Sequence, residues 1–306
     1  MMTNYLRPLT RYPLFQIPCI FFVIFLLTTL LVWFLGIGRP TVAVAIAIDL
    51  SPSTYPQSQF NAPGSVLNQE VLAVSAYLEK NNSGILQRPN LVTIIGFASI
   101  PRQLTTGFKD DGQLLTQELN QTLANPSLIK DLGGGTDLDL AIQEGIRLLN
   151  TVNDRCRELL LVTDGIASVT PETIAQARNN RIRIHAIVVG DEAPEVRITT
   201  LLTGGVYLSV PLETNLERLF TNKLFNKFNN NWRWVLLCLG LTWMALMWTL
   251  VMPLDRWIFQ GLFKLPLNFA GRLALSHALF WTVATPGILI GIYRLLNLAL
   301  PFTGSC

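Results

Sequence analysis

The sequence predicts an α/β protein with a doubly wound, mostly parallel sheet flanked by helices, together with three transmembrane helices. Between residues 41 and 222, short apolar runs alternate with segments of helical spacing, which is typical of a parallel sheet covered on both faces. Outside that region, three apolar runs are long enough to cross a membrane. Only 14% of the 306 residues are charged, against about 25% in soluble proteins. Part of the chain is therefore expected to lie in lipid.

The first membrane span is predicted at residues 17–38, within an N-terminal segment 1–40. The run carries no charge and can cross about 30 Å of hydrocarbon as a helix. A cleaved signal peptide is the alternative, but its apolar region is commonly about 7–15 residues long. Arg39 and Pro40 also lead directly into a predicted strand. The segment is expected to remain as an uncleaved signal anchor.

Two further spans are predicted after the soluble region, at 234–253 and 273–300. Tryptophans lie at both ends of the first of these, as expected for residues at a membrane–water interface. The Pro286–Gly287 pair predicts a kink in the second, which neighbouring helices can accommodate. The connection 254–272 is predicted to be a loop, and 301–306 a short tail.

The soluble region 41–222 has the size of one domain. Its predicted strands are 42–48, 90–98, 158–163 and 182–190, with 204–210 as an edge strand. Its predicted helices are 68–80, 114–123, 138–149 and 171–180. Helical spacing in the first of these helices runs through Val71, Leu72, Ser75, Tyr77 and Leu78.

A last helix is predicted at 214–228. Thr214 and Glu217 have the spacing of a capping box, in which two side chains satisfy backbone N–H groups of the first turn. The helix is expected to continue through a juxtamembrane segment, 223–233, with only a short joint before the second span.

Polar residues follow two of the predicted strands. Asp49, Ser51 and Ser53 alternate at the end of the first strand, and Asp164 follows the third. Thr136 lies in a glycine-rich loop, GGGTD, that opens a helix. In parallel sheets, ligands bind outside the carboxyl ends of the strands. These five side chains are therefore expected to meet at one edge of the sheet.

The ordered set formed by D-L-S-P-S (49–53), the threonine of GGGTD and the aspartate of T-D-G (163–165) resembles the metal-ion-dependent adhesion site of von Willebrand factor A domains. The pattern in that family is Asp-x-Ser-x-Ser, a later Thr in a glycine-rich loop, and a later Asp in a T-D-G turn. All five positions match. The segments IIGFAS (94–99) and IRIHAIVVG (182–190) are also similar, so the resemblance covers about 41–222.

The five side chains offer only oxygen ligands, which suit a hard divalent cation. Mg2+ is the expected ion, with Mn2+ or Ca2+ as alternatives, and the expected ligands are Asp49, Ser51, Ser53, Thr136 and Asp164. Three of these are neutral hydroxyls. If Asp49 and Asp164 act partly through waters or by orienting those hydroxyls, the cation keeps much of its positive charge and attracts a further, anionic ligand. The resemblance implies that this ligand is an Asp or Glu carboxylate of a partner protein.

Each of the five residues also has an ordinary structural explanation, because Ser, Thr and Asp often cap helices and turns. The complete ordered set favours the metal site over that explanation. Asp137 and Asp139 are assigned to the first turn of a helix, where acids interact well with the helix dipole. Gly133 to Gly135 lack the following Lys of a phosphate-binding loop, so they are interpreted as backbone that lets Thr136 approach the metal.

The leading functional hypothesis is a membrane-anchored scaffold without enzymatic activity. Its arrangement resembles bacterial membrane proteins of the Bat (aerotolerance) type, which are often associated with AAA-type ATPases and complex assembly. The resemblance implies a role in the assembly or maintenance of a membrane complex. The chain departs from that type in having one predicted span before the domain and two after it.

Two other classes of function stay open. A metal-dependent hydrolase would use Asp49 as nucleophile, but Ser51 stands where a haloacid-dehalogenase-like phosphatase has a second Asp. A transporter or channel accessory subunit is suggested only by the paired C-terminal spans. The net charge of +3 is too balanced to indicate nucleic-acid binding.

The chain is expected to be a multi-pass protein of a bacterial inner, or thylakoid-like, membrane. Five basic residues flank the spans on the side predicted to be cytoplasmic: Arg7, Arg11, Arg256, Lys264 and Arg272. Five others lie on the opposite side: Arg39, Lys223, Lys227, Arg233 and Arg294. Long domains are translocated largely regardless of charge, so the charges beside the domain are discounted. The domain is therefore expected on the exported side.

Overall fold

The computed structural model describes residues 8–56, 59–83, 88–125, 127–165, 167–211, 214–296, 298, 300 and 301. The chain divides into two compact units. One unit comprises Met1–Arg39 with Asn231–Cys306, and the other comprises Pro40–Asn230.

The Pro40–Asn230 unit is built on a six-stranded sheet in the order β3-β2-β1-β4-β5-β6. The strands are β1 Val42–Asp49, β2 Leu91–Phe97, β3 Pro101–Gln103, β4 Cys156–Thr163, β5 Ile182–Val189 and β6 Tyr207–Val210. All neighbouring pairs are parallel except β2 and β3. The predicted doubly wound, mostly parallel sheet is confirmed.

Helices lie on both faces of this sheet because its central strand is apolar on both sides. Every residue of β1 is buried. Val44 and Ile46 belong to one core cluster, whereas Ala43 and Ala45 belong to the other. Alternate side chains of a strand point to opposite faces, so this one strand contributes to two cores.

The helices of this unit are α2 Val66–Asn82, α3 Gly112–Leu123, α4 Ser127–Leu132, α5 Leu138–Leu149, α6 Pro171–Asn179 and α7 Pro194–Thr203. Residues of α2, α3 and α4 enter the core cluster that includes Val44, and residues of α5, α6 and α7 enter the cluster that includes Ala43. β3, α4 and α7 are not predicted from the sequence.

The buried face of α2 differs from the predicted one. Leu72 is 48% exposed, whereas Leu67, Glu70, Val71 and Val74 are buried. These four positions follow the i, i+3, i+4, i+7 spacing of one helix face. Of the predicted face, Val71, Tyr77 and Leu78 are buried, whereas Leu72 and Ser75 are not. The prediction omits Leu67, which sets the phase of the helix, and the charged residue three positions later.

The last helical segment begins one residue later than its predicted cap. Asn215 is the N-cap, and its side chain accepts a hydrogen bond from the backbone N–H of Arg218 at 2.9 Å. Thr214 still belongs to the preceding turn, where its backbone N–H donates to the Pro211 carbonyl at 2.9 Å. The predicted capping box of Thr214 and Glu217 is therefore wrong. The segment comprises α8 Leu216–Arg218, a π-helix Leu219–Leu224 and α9 Phe225–Phe228.

Among the described residues of the other unit, three helices are long and apolar enough to cross a membrane: Pro13–Leu35 (α1), Trp232–Leu262 and Leu267–Leu295 (α12). Within it, the Thr29 and Thr242 hydroxyls lie 3.1 Å apart and are buried. A Cβ on Gly240 would lie 2.5 Å from Leu289, so the absence of a side chain allows that approach.

The connection predicted as a loop, 254–272, is mostly helical. After α10 Trp232–Thr249 and α11 Val251–Pro253, the chain continues as a π-helix over Leu254–Leu262. The charged residues of this stretch suggest a loop in the sequence, but they alternate with apolar residues and are compatible with an amphipathic helix. Only residues 263–266 separate this helix from α12.

Candidate metal centre

Asp49 ends β1 and is completely buried. Its Oδ1 accepts a hydrogen bond from the backbone N–H of Ser51 at 2.9 Å, and its Oδ2 accepts one from the Thr163 hydroxyl at 2.5 Å. Burial raises the pKa of Asp49 above its usual value, and the nearby charge of Asp164 raises this pKa further. The hydrogen bonds from Ser51 and Thr163 oppose that shift. The carboxylate is thus fixed in orientation but lacks a cationic partner among the described residues.

Ser51 and Ser53 connect the end of β1 to the end of β4. The Ser51 and Ser53 hydroxyls lie 2.9 Å apart, and the Ser53 hydroxyl donates to Asp164 Oδ1 at 2.9 Å. The Thr54 hydroxyl donates to the Ser51 carbonyl at 2.9 Å and holds the turn between β1 and α2. Burial raises the pKa of Asp164, and the hydrogen bond from Ser53 opposes that shift. Four of the five predicted ligands are therefore in one group.

Thr136 reaches the same place from the loop that precedes α5. Its side chain lies beside Gly165, the residue after Asp164. A Cβ built on Gly165 would lie 3.5 Å from Thr136 Cγ2 and 4.0 Å from Asp49 Oδ2. Thr136 is therefore close to the strand ends that carry Asp49 and Asp164. The loop is held by Ser99, whose hydroxyl accepts a hydrogen bond from the backbone N–H of Gly135 at 2.7 Å. The structure thus brings all five predicted side chains to the carboxyl edge of the sheet.

The two acids next to Thr136 have other partners. Asp137 is the N-cap of α5, and its side chain accepts a hydrogen bond from the backbone N–H of Leu140 at 2.9 Å. Asp139 accepts one from the backbone N–H of Thr170 at 2.8 Å. Both therefore stabilise local structure around the site.

The donor set fits a hard divalent cation in its chemistry. It contains two carboxylates and three hydroxyls, and no nitrogen or sulfur atom. The described residues contain no group of three or more His, Cys, Asp or Glu side chains arranged to hold a metal. An ion at this edge would therefore have no more than two carboxylates beside the three hydroxyls, and water would complete its coordination, as is usual for Mg2+. Binding of an ion stays a prediction.

Sequence reasoning misses three residues that organise this group. Thr163 belongs to the T-D-G triplet, but the pattern alone does not show that its hydroxyl donates to Asp49. Thr54 and Ser99 give no signal beyond being hydroxyl residues close to strand ends. Their hydrogen bonds to Ser51 and Gly135 depend on the tertiary fold.

The doubly wound sheet, with Asp-x-Ser-x-Ser, Thr and Asp at its carboxyl edge, resembles the von Willebrand factor A fold, as the sequence predicts. No family model matches the sequence, and no curated protein does.

Among solved structures, the chain is similar to BatB from Bacteroides thetaiotaomicron, with 19% identity, 61% of this chain and 99% of that chain covered, and a TM-score of 0.47. An aerotolerance-related membrane protein from Bacteroides fragilis gives 20% identity, the same coverages and a TM-score of 0.47. A von Willebrand factor type A protein from Catenulispora acidiphila gives 16% identity, coverages of 62% and 43%, and a TM-score of 0.49.

Proposed function

We propose that this protein is a membrane-anchored scaffold that binds a carboxylate of a partner protein through a divalent cation. The observation that supports this best is the oxygen-only group of Asp49, Ser51, Ser53, Thr136 and Asp164 at one edge of the sheet. Mg2+ is the proposed ion, with Mn2+ or Ca2+ as alternatives.

The proposed role of each residue follows from how deeply it is buried. Asp49 forms the floor of the site, held by Ser51 and Thr163, while Ser53 is exposed at its rim. With Asp164 acting through the Ser53 hydroxyl that it already binds, the cation would keep positive charge toward solvent, because hydroxyl ligands are neutral. An Asp or Glu side chain of a partner is the natural protein group to meet that charge.

The proposed setting is the assembly or maintenance of a membrane complex, including a system linked to an AAA-type ATPase. Two features support it: the helices long enough to cross a membrane, and the resemblance to Bat-type proteins. The proposed location is a bacterial inner, or thylakoid-like, membrane with the domain on the exported side. No enzymatic step is proposed.

The metal site is tested by replacing Asp49 with Asn in the full chain, purified in detergent, and titrating Mg2+ and Mn2+ by calorimetry. The variant keeps the size of the side chain but removes its charge. We expect its affinity to fall at least about tenfold, equivalent to about 1.4 kcal/mol. Asp137→Asn is the matched control, because Asn caps a helix as well as Asp does and the affinity should not change. Equal affinity in Asp49→Asn and the parent would overturn the metal site.

The partner is tested by affinity purification from native membranes, in parallel with Mg2+ and with chelator. A partner should be retained by the parent and by Asp137→Asn in Mg2+, and lost with chelator or with Asp49→Asn. Hydrolysis of generic phosphoesters, present in the parent and absent from Asp49→Asn, would instead favour the hydrolase alternative.

A further inference from the structure

Four arginines without an ion-pair partner lie at the edge of the sheet opposite the candidate metal centre. Arg155 and Arg157 lie at the start of β4, and Arg178 and Arg181 flank the turn that leads into β5. This is the amino edge of the two parallel strands, whereas Asp164 follows the carboxyl end of β4. Among the described residues, no carboxylate lies within ion-pair distance of any of the four.

Hydrogen bonds hold these arginines in one continuous surface. The Arg157 guanidinium donates to the Asn150 side chain at 3.0 Å and to the Asn180 carbonyl at 3.3 Å, and so links the end of α5 to the turn before β5. Arg155 donates to the Pro89 carbonyl at 2.6 Å, in the connection before β2. All of these acceptors are uncharged, so both guanidinium groups keep their positive charge. The other two arginines are exposed on either side of the same turn.

The charge of the domain is polarised along β4 and β5. Asp154 is the only acid in the α5–β4 and α6–β5 connections. Just beyond the carboxyl end of β5, by contrast, Asp191 and Glu192 are exposed. A favourable interaction with the helix dipole accounts for Arg178 in the last turn of α6, but not for the arginines at the strand starts. The amino edge therefore presents a positive face to an anionic surface.

Exposed leucines adjoin the arginines at the same edge. α7 packs beside α6 and ends at Thr203, whose hydroxyl accepts a hydrogen bond from the backbone N–H of Ile184 in β5 at 3.1 Å. In this last turn of α7, Leu201 and Leu202 are 77% and 48% exposed. Binding to a membrane surface strengthens both with the apolar area that is buried and with the attraction of basic residues to anionic lipids. The amino edge carries both features.

The amino edge is also where the chain enters the domain. α1 ends at Leu35 and β1 begins at Val42, so only residues 36–41 connect them. Val42 pairs with Cys156, the first residue of β4, so β1 and β4 start at the same edge. The connection reaches at most about 25 Å when fully extended. With α1 in a membrane, the arginines are therefore on the edge that the chain tethers close to lipid headgroups.

We propose that the amino edge of β4 and β5, with the end of α7, is a surface that binds anionic phospholipid headgroups of the membrane in which the chain is anchored. Arg155, Arg157, Arg178 and Arg181 attract the lipid phosphates, as clustered basic residues next to a span do. The two exposed leucines enter the interface between them. This inference rests on the membrane anchor of the proposed function and not on its metal. With this edge on lipid, the opposite edge, which carries the candidate metal centre, faces the aqueous phase.

The test uses the full chain in nanodiscs of phosphatidylcholine, with or without phosphatidylglycerol, and a lipid whose headgroup carries a nitroxide as a short-range quencher. A fluorescent non-natural residue replaces either Asn179, beside the arginines, or Glu172, about 10 Å away along α6. Both positions are exposed. Quenching at Asn179 should rise when phosphatidylglycerol is added and fall again in high salt, because salt screens exposed charges. Quenching at Glu172 should stay low throughout.

Two variants separate the contributions of charge and apolar contact. Arg178→Gln combined with Arg181→Gln should lose at least about half of the quenching that phosphatidylglycerol adds at Asn179, because each basic residue near an anionic surface contributes attraction. Leu201→Gln should reduce the quenching while the salt dependence stays. Both variants should keep the Tm of the parent, because the replaced side chains are exposed.

Arg102→Gln combined with Lys130→Gln is the matched control, since it removes two exposed positive charges away from the amino edge. Its quenching at Asn179 should equal that of the parent. Quenching at Asn179 that does not respond to phosphatidylglycerol, or that survives the loss of Arg178 and Arg181, would overturn the lipid surface alone. An acidic protein as the true occupant would give this result, because the nanodiscs contain no partner. A chain that does not insert into nanodiscs would instead overturn the membrane anchor, and with it the proposed function.

Discussion

At the scale of single residues, the polar network around Glu158 shows how the core accommodates charge. Arg183 Nε lies 3.0 Å from Glu158 Oε1, and His185 Nε2 lies 2.7 Å from Oε2. The other ring nitrogen of His185, Nδ1, accepts a hydrogen bond from the backbone N–H of Val206 at 3.0 Å. The ring proton is therefore on Nε2 and is donated to Glu158. This network joins β4, β5 and the turn before β6.

Glu158→Gln is expected to lower the free energy of unfolding by about 3 kcal/mol at neutral pH, because it leaves Arg183 without its carboxylate. An acid whose pKa is lowered by folding binds fewer protons in the folded state than in the unfolded state. Its contribution is complete above the unfolded pKa, near 4.5, and is lost as the pH falls through the folded pKa. The stability difference between parent and variant should therefore shrink below about pH 4.5.

The measurement is denaturant unfolding in chelator, followed by circular dichroism over a series of pH values. Glu144→Gln is the control: Glu144 pairs with Arg147 at the surface, where such a pair contributes less than about 1 kcal/mol. A stability difference that stays constant from pH 7 to pH 3 would contradict the assigned role of the ion pair between Glu158 and Arg183.

The five site residues could be predicted because each stands at a strand end or in a loop that the sequence itself marks. The burial of Glu70 could not be predicted, because it depends on how α2 is rotated about its own axis. The sequence gives a charged residue within a helical pattern, and such residues are mostly exposed. Only the phase set by Leu67 places it in the core.

At the scale of elements, strands buried on both faces are the most predictable part of the chain. The run predicted at 42–48 forms β1 over Val42–Asp49, and the run predicted at 182–190 forms β5 over Ile182–Val189. Continuous apolar runs mark such strands directly. β3 has only three residues and pairs at the sheet edge, so it leaves no comparable pattern.

The sequence does not predict α7 for a different reason: polar side chains face the core in this helix, and several apolar side chains face outward. Thr199, Thr200 and Thr203 are buried, whereas Ile198 is 53% and Leu201 77% exposed. The buried threonine hydroxyls donate to backbone carbonyls of the preceding turn, which satisfies them in the core. The spacing of apolar residues therefore does not predict a helix of this kind.

In the glycine-rich loop before α5, one glycine has no room for a side chain and its neighbour has, which allows a matched prediction. A Cβ on Gly135 would lie 2.8 Å from Ser99 Oγ, the atom that holds the loop, whereas a Cβ on Gly134 would have no neighbour within 4 Å. Gly135→Ala should displace the loop and withdraw Thr136, lowering metal affinity by about tenfold and stability by about 1–3 kcal/mol. Gly134→Ala should resemble the parent in both. Calorimetry and thermal unfolding measure the two effects, and equal metal affinities in the two variants would show that Ser99 does not position Thr136.

At the scale of the whole molecule, the sequence predicts that apolar segments lie on both sides of the domain in the chain, and it leaves their orientation nearly undetermined. The three long helices form where apolar runs occur, since a helix satisfies its backbone groups internally. Orientation depends on small differences in flanking charge, and five basic residues stand against five. The expectation of an exported domain rests on discounting the charges next to it.

The orientation is tested by placing one cysteine in the domain and one at the start of α12, as Glu172→Cys and Asn268→Cys. Both positions are exposed, and neither substitution removes a basic residue. If the domain is exported, a membrane-impermeant thiol reagent should label Glu172→Cys in intact spheroplasts and should label Asn268→Cys only after permeabilisation. The physical reason is that Asn268 lies in the sequence between Lys264 and Arg272, and short basic connections are retained on the cytoplasmic side. The parent chain, treated in parallel, gives the background from its native cysteines. Labelling of Asn268→Cys in intact spheroplasts, with Glu172→Cys protected, would reverse the orientation and place the candidate metal centre in the cytoplasm.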